Sequence, residues 1–169
     1  EKGLAGIWDI LSKESFTGYF GVQQDYVAGA RYRPLSIVTF AIEKQFFGKS
    51  AAVAHLVNIL LYILCGIVVY NFFRKISNRF GWSSFIPLIG ALLFIIHPIH
   101  TEAVANIKGR DEILCLLFSM LTLNVILDHQ QKPSIIKILS SSIFYFLALM
   151  SKENAITFLA IIPLTLVFF

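Results

Sequence analysis

The sequence predicts an all-α, polytopic integral membrane helix bundle with amphipathic helices lying along the bilayer surface, and three observations predict it. First, 57% of the 169 residues are hydrophobic, only 14% are charged, and mean hydropathy is +0.75. Soluble domains run about 45–50% apolar and about 25% charged, and a soluble core of this length leaves too much surface wet to hide the excess. Lipid is the matching solvent. Second, five apolar runs follow one another with only short polar links. Third, two earlier stretches show helical spacing of apolar residues but are too short to span.

Taken in order, residues 1–50 form a loop region. Leu4, Ile7, Trp8 and Leu11 share one helical face, and after Pro34, a natural first-turn residue, Leu35, Val38, Ile42 and Phe46 repeat it. Such stretches lie in the interface plane. Between them, Gly18, Tyr19, Gly21, Tyr26, Gly29 and Tyr32 suggest an ordered loop at headgroup level. Residues 51–169 form the membrane domain. The run 53–73 carries no charge and is long enough for a hydrocarbon core that needs about 20 residues. His55 and Asn58 interrupt its first two turns, within reach of the interface or a neighbouring helix. The runs 82–96, 113–127, 135–150 and 155–169 are each shorter than a usual span, and their succession carries the membrane reading. Gly90, Ala91, Ser119, Thr122 and Ser140–Ser142 suit close helix contact.

Residue 1 is Glu, no charged n-region opens the chain, and the last apolar run reaches residue 169. No signal peptide is expected, and a further segment is expected on each side. Only two cysteines occur, Cys65 and Cys115, each inside an apolar run, and a disulfide framework or a zinc site needs more cysteines or closer spacing. The net charge of +4 comes from scattered basic residues, so no nucleic-acid partner is expected.

Alternating spans put 74–83 and 128–137 on one membrane face, and 1–52, 97–112 and 151–154 on the other. Close to the spans, Arg74, Lys75, Arg79, Lys132 and Lys137 on the first face balance Lys108, Arg110 and Lys152 on the second, taken with Lys44 and Lys49 just before the first span. The positive-inside rule therefore leaves the orientation open. The chemistry is not balanced. His97-Pro98-Ile99-His100-Thr101-Glu102 closes an apolar run; Pro98 ends the helix and Thr101 can cap a succeeding one. Its His97, His100 and Glu102 can hold a divalent metal, exchange protons or bond a phosphate, or be plain interfacial polar residues. Lys108-Gly109-Arg110-Asp111-Glu112 offers cations for a phosphate beside a glycine that admits a close backbone approach. The bland alternative is two acids favouring a helix N-terminus. Ser151-Lys152-Glu153-Asn154 is a charged turn, and Arg31 and Arg33 can fork onto a phosphate or bind headgroups. Four polar clusters on one face point to a site for an amphiphilic, phosphate-bearing substrate.

These residues carry a resemblance. Tyr32-Arg33-Pro34-Leu35, His55-Leu56-Val57-Asn58, His97-Pro98-Ile99-His100-Thr101-Glu102-Ala103-Val104, Gly109-Arg110 and Ser151-Lys152-Glu153 occur in this order. The pattern resembles the transmembrane and tetratricopeptide-repeat O-mannosyltransferase family, part of the GT-C superfamily of polyprenyl-phosphate-sugar-dependent glycosyltransferases. The resemblance implies a GT-C-like fold whose interfacial helices sit in an extracytoplasmic loop. It places the motif face in the endoplasmic reticulum lumen or, for a bacterial inner membrane, in the periplasm. It implies a polyprenyl-phosphate-linked sugar as donor, an acceptor protein or glycan, and the bilayer as partner. Substrate-side residues would be Arg31, Arg33, His97, His100, Glu102, Lys108, Arg110, Asp111, Lys152 and Glu153. The family's catalytic acids precede residue 1 on this reading, so Asp9 and Asp25 are not assigned, and tetratricopeptide repeats are expected downstream. A non-catalytic scaffold and a transporter are the alternatives. A transporter wants midplane polar residues in broken spans, whereas here the ionisable groups lie at the ends of the runs.

Overall fold

The computed structural model describes residues 7–8 and 32–168. Of the first predicted surface helix only Ile7 and Trp8 are described, both helical. Leu4, Leu11, Asp9, Asp25, Arg31 and the loop glycines and tyrosines before Tyr32 lie outside the described residues.

Helix α1 (Pro34–Phe47) opens on its proline and stops at Gly48, whose φ of 70° favours glycine. Ser50 then caps α2 (Ala51–Phe80), its hydroxyl accepting the Val53 N–H at 3.4 Å. This helix continues beyond the charge-free run, through Arg74, Lys75 and Arg79, until Gly81 ends it in the left-handed region at φ 66°. Helix α3 (Phe85–Ile96) ends because His97 is extended and Pro98 cannot continue the ladder. A 3-10 turn, Pro98–His100, leads into the short α4 (Thr101–Ala105). Thr101 does not cap α4: it is already helical, and the preceding cap, His100, makes no side-chain bond. Asn106 instead caps the next 3-10 turn, Ile107–Gly109, accepting the Lys108 N–H at 3.1 Å.

Helix α5 (Arg110–Gln131) then crosses back, and α6 (Ile135–Ser151) returns. A turn at Glu153–Thr157 feeds α7 (Phe158–Phe168). The segments 74–83 and 128–137, expected as basic loops, are therefore largely helical. Lys75 donates to Asp128 at 2.7 Å and to the Asn124 carbonyl at 2.9 Å, which ties the far ends of α2 and α5 together. Among the described residues there is no strand.

Helix α5 is the central element, packed between α2 and α6, while α3 lies on the other side of α2. Cys65 and Val68 of α2 meet Ile113 and Leu117 of α5, and Cys115 meets Ala148 and Ala155. Central position explains why α5 buries Ser119, Thr122 and Asn124 alongside its leucines. The outer faces are apolar and bare, as at Leu93 (67% exposed) and Ile136 (73%), which suits lipid rather than water. By length and composition α2 and Ile107–Gln131 can each cross a membrane, and a third span arises if α3 and Pro98–Ala105, bent by 48°, act as one. Ile135–Ser151 and Glu153–Phe168 are shorter apolar helices.

Candidate functional site at one end of the bundle

Because α2, α3, α5 and α6 alternate in direction, the start of α2, the end of α3, the start of α5 and the end of α6 meet at one end, where α1 also docks. Three of the four polar segments singled out in the sequence, those at Arg33, Asp111–Glu112 and Lys152–Glu153, are joined there by direct bonds. The Arg33 guanidinium forks onto Glu153, Nη2 at 2.6 Å and Nε at 3.2 Å, and pairs through Nη1 with Asp111. One side chain thus ties the entry of α1 to the first turn of α5 and to the turn after α6. Fork geometry adds orientation to charge. The Arg33 fork holds the Glu153 carboxyl below its ordinary value. Burial lowers the Arg33 value, but the two carboxylates outweigh it and the net shift is upward.

Arg110 is placed differently from the sequence expectation. Its side chain is fully buried and faces protein on every side. Nε donates to Asn58 Oδ1 at 2.7 Å and Nη2 to the Ala54 carbonyl at 2.8 Å. Nη1 donates to Thr39 Oγ1 at 3.2 Å and pairs with Glu43, and the guanidinium lies 4.0 Å over the Phe40 ring. Arg110 therefore clamps α1 onto α2 and α5 rather than presenting a cation to a ligand. A buried arginine must have its donors met, and α1 and α2 supply the acceptors. Asn58 completes the joint, donating to the Asn106 carbonyl at 3.2 Å.

Gly109 also differs. A Cβ there would overlap the backbone of Ala103, with Cα only 2.7 Å away. The glycine admits the α4 backbone, not a ligand. Asp111, besides pairing with Arg33, accepts the Glu112 N–H at 2.8 Å, so it serves the start of α5 and the ion network together.

The histidines do not form a metal centre. His97 Nδ1 accepts the Ile99 N–H at 3.3 Å, and its ring lies 6.1 Å from that of His100. The His100 ring packs at 4.5 Å on Phe94 and 5.8 Å on Tyr62. Glu102 is exposed on α4. Among the described residues no three His, Cys, Asp or Glu side chains come together to hold a metal. The Lys108 side chain is exposed, with no hydrogen-bond or ion-pair partner among the described residues.

Beside these groups a cavity of about 330 Å³ opens between α2, α4, α5 and the turn into α7. Its wall is largely apolar, from Cys65, Ile113, Leu116 and Phe158, and its polar members are Tyr62, His100, Glu112, Lys152, Asn154 and Thr157. Tyr62 donates to the Ile95 carbonyl at 3.0 Å, fixing the end of α3 against the cavity. Lys152 Nζ donates to Glu112 Oε1 at 2.6 Å. Glu43, Tyr62 and Glu112 were not among the predicted site residues. Of these only Glu112 sits in a motif, where the helix-start reading absorbs it; Asn58, placed by the sequence within reach of a neighbouring helix, does bond Arg110 of α5.

No family model and no solved structure matches the chain. Curated relatives do. Protein O-mannosyl-transferase TMTC1 of Homo sapiens is 40% identical over 102 residues, 58% of this chain and 11% of that protein. Protein O-mannosyl-transferase TMTC4 of Homo sapiens is 37% identical over 101 residues, 54% of this chain and 14% of that protein. Protein O-mannosyl-transferase tmtc2 of Xenopus laevis is 33% identical over 135 residues, 77% of this chain and 16% of that protein. The matched part of these relatives is thus a small fraction of their length.

Proposed function

The chain belongs to the TMTC family of protein O-mannosyl-transferases, and from that premise we propose that it serves transfer of a mannose from a polyprenyl-phosphate-linked donor to an acceptor hydroxyl on a protein. The observation that carries the assignment of this region is the cavity, apolar in its wall and charged at Lys152 and Glu112. That combination fits an amphiphile whose isoprenoid is buried in apolar surroundings while its phosphate meets a cation. The site end of the bundle is assigned to the lumenal or periplasmic face.

In such a transfer the acceptor oxygen attacks the anomeric carbon as the carbon–oxygen bond to the lipid phosphate breaks, and the hydroxyl proton passes to a carboxylate base. Negative charge grows on the leaving phosphate, and a fixed cation in low dielectric stabilises it. Lys152 is assigned that role, with the exposed Lys108 as a second, outer cation. His100, between Phe94 and Tyr62, is assigned to hydrogen bonding at the same group. Arg33, Asp111, Glu153 and Arg110 hold the elements that carry them. His97 and Glu102, without a shared ligand geometry, are assigned to the rim.

The test is mannose transfer from polyprenyl-phosphate mannose by the full-length protein in membranes, with Lys152→Ala and His100→Ala compared at equal protein level. Each is expected to lower transfer by roughly tenfold or more, the scale of a lost charged contact to the reacting group. Unchanged transfer in both variants overturns the assignment of the cavity.

A further inference from the structure

We propose that Glu112 is the built-in counter-anion of the cavity: its carboxylate sits on the Lys152 ammonium where the phosphate of an amphiphilic substrate binds, and it swings out when that phosphate arrives. The inference rests on the reading of the cavity as a phosphate-bearing substrate's site, and it adds a residue that sets affinity there.

Three observations carry it. Both partners line the cavity, and they come from different elements, α5 and the turn after α6. Their exposures are unequal: the Lys152 side chain is 13% exposed and the Glu112 side chain 55%. The cation is the seated member and the carboxylate the one with solvent to move into. Finally, the neighbouring carboxylates cannot exchange for it. Glu153 is forked by Arg33 at 2.6 and 3.2 Å, and Asp111 is held by Arg33 and by the Glu112 N–H. Among the described residues, Glu112 alone of the acids around this rim has Lys152 as its side-chain partner.

The exchange has a charge consequence. Arg33 and Lys152 face Asp111, Glu112 and Glu153, two cations against three carboxylates. When Glu112 leaves, one ammonium becomes available to the incoming phosphate. While the cavity is empty, Glu112 spares Lys152 the cost of standing unpaired.

The test measures binding of farnesyl phosphate to the full chain in detergent, with farnesol and inorganic phosphate as separate arms. Glu112→Gln is expected to tighten farnesyl phosphate binding roughly threefold to tenfold, the range for removing a competing ion pair of mixed exposure. Farnesol affinity is expected to stay unchanged. Lys152→Gln is expected to weaken farnesyl phosphate binding and abolish the gain from Glu112→Gln, and Lys152→Arg to restore it, which separates lost charge from lost folding. Equal farnesyl phosphate affinity in wild type and Glu112→Gln overturns the counter-anion role while leaving the cavity assignment standing. No farnesyl phosphate binding by any variant overturns both. If inorganic phosphate competes as strongly as farnesyl phosphate, the occupant is a free phosphate and the amphiphile reading falls.

Discussion

Replacing Arg110 with Met probes the joint on which the position of α1 depends. Met keeps a comparable flexible stem but removes every donor. Glu43, 14% exposed, loses its ion-pair partner, and the fully buried Asn58 loses a 2.7 Å bond on Oδ1. The Ala54 carbonyl and Thr39 hydroxyl lose theirs as well. Removing one member of a buried pair costs about 3–5 kcal/mol, because the remaining charge stays buried and unmatched. Lys at the same position keeps the charge for Glu43 but not the planar fork that reaches Asn58 and Ala54 together, so its cost is about 1.5–3 kcal/mol. The assay is reversible unfolding in mixed micelles of increasing sodium dodecyl sulfate, followed by helicity. Glu43→Gln is combined with Arg110→Met in a double-mutant cycle, and a coupling of about 1.5 kcal/mol or more is expected for partners in direct contact. An Arg110→Met variant within about 1 kcal/mol of wild type, or a Lys variant as damaging as Met, would refute the clamp, since the spread for surface ion pairs is about that size.

Three further outcomes rest on the same geometry. The Arg33 fork depresses the Glu153 carboxyl from its ordinary value of 4.5, so the stability this pair adds is present above that value and is lost as pH falls through the lower, folded-state value. Thermal midpoints of wild type and Arg33→Gln should therefore differ at neutral pH and converge in strong acid; a constant gap would contradict the pairing. Gly109→Ala forces a Cβ against the Ala103 backbone, whereas a Cβ at Gly66 meets only the movable Ile95 side chain, Cδ1 at 2.7 Å. The first should lower stability by about 1–3 kcal/mol and the second by less than about 1, read as thermal midpoints in detergent. Cysteines placed at 108 and 132 should be labelled by a membrane-impermeant maleimide from opposite sides of sealed vesicles, and labelling from the same side would overturn the crossing of α5.

Much of the architecture is legible along the chain. Apolar runs without charge mark helices that suit lipid, Pro34 marks the start of α1, and Pro98 the end of α3. Helix ends are less legible. Arg74, Lys75 and Asp128 read as loop residues on polarity alone, yet Lys75 and Asp128 satisfy each other within continuing helices. Thr101 has the right chemistry for a cap but sits one residue too late. The same limit applies to Gly109, whose freedom is used for packing on Ala103.

The sequence by itself determined that this protein is helical and suited to lipid, because composition and run length act residue by residue along the chain. It also determined that the polar segments share one end, because helices that reverse at every turn carry their ends alternately to either side. Only the tertiary structure decided which cations stay available there. Charge pairing depends on separations of a few ångströms between residues far apart in the chain. It buries Arg110 against Glu43 and Asn58, commits Arg33 to Asp111 and Glu153, and leaves Lys152 at the cavity paired with Glu112.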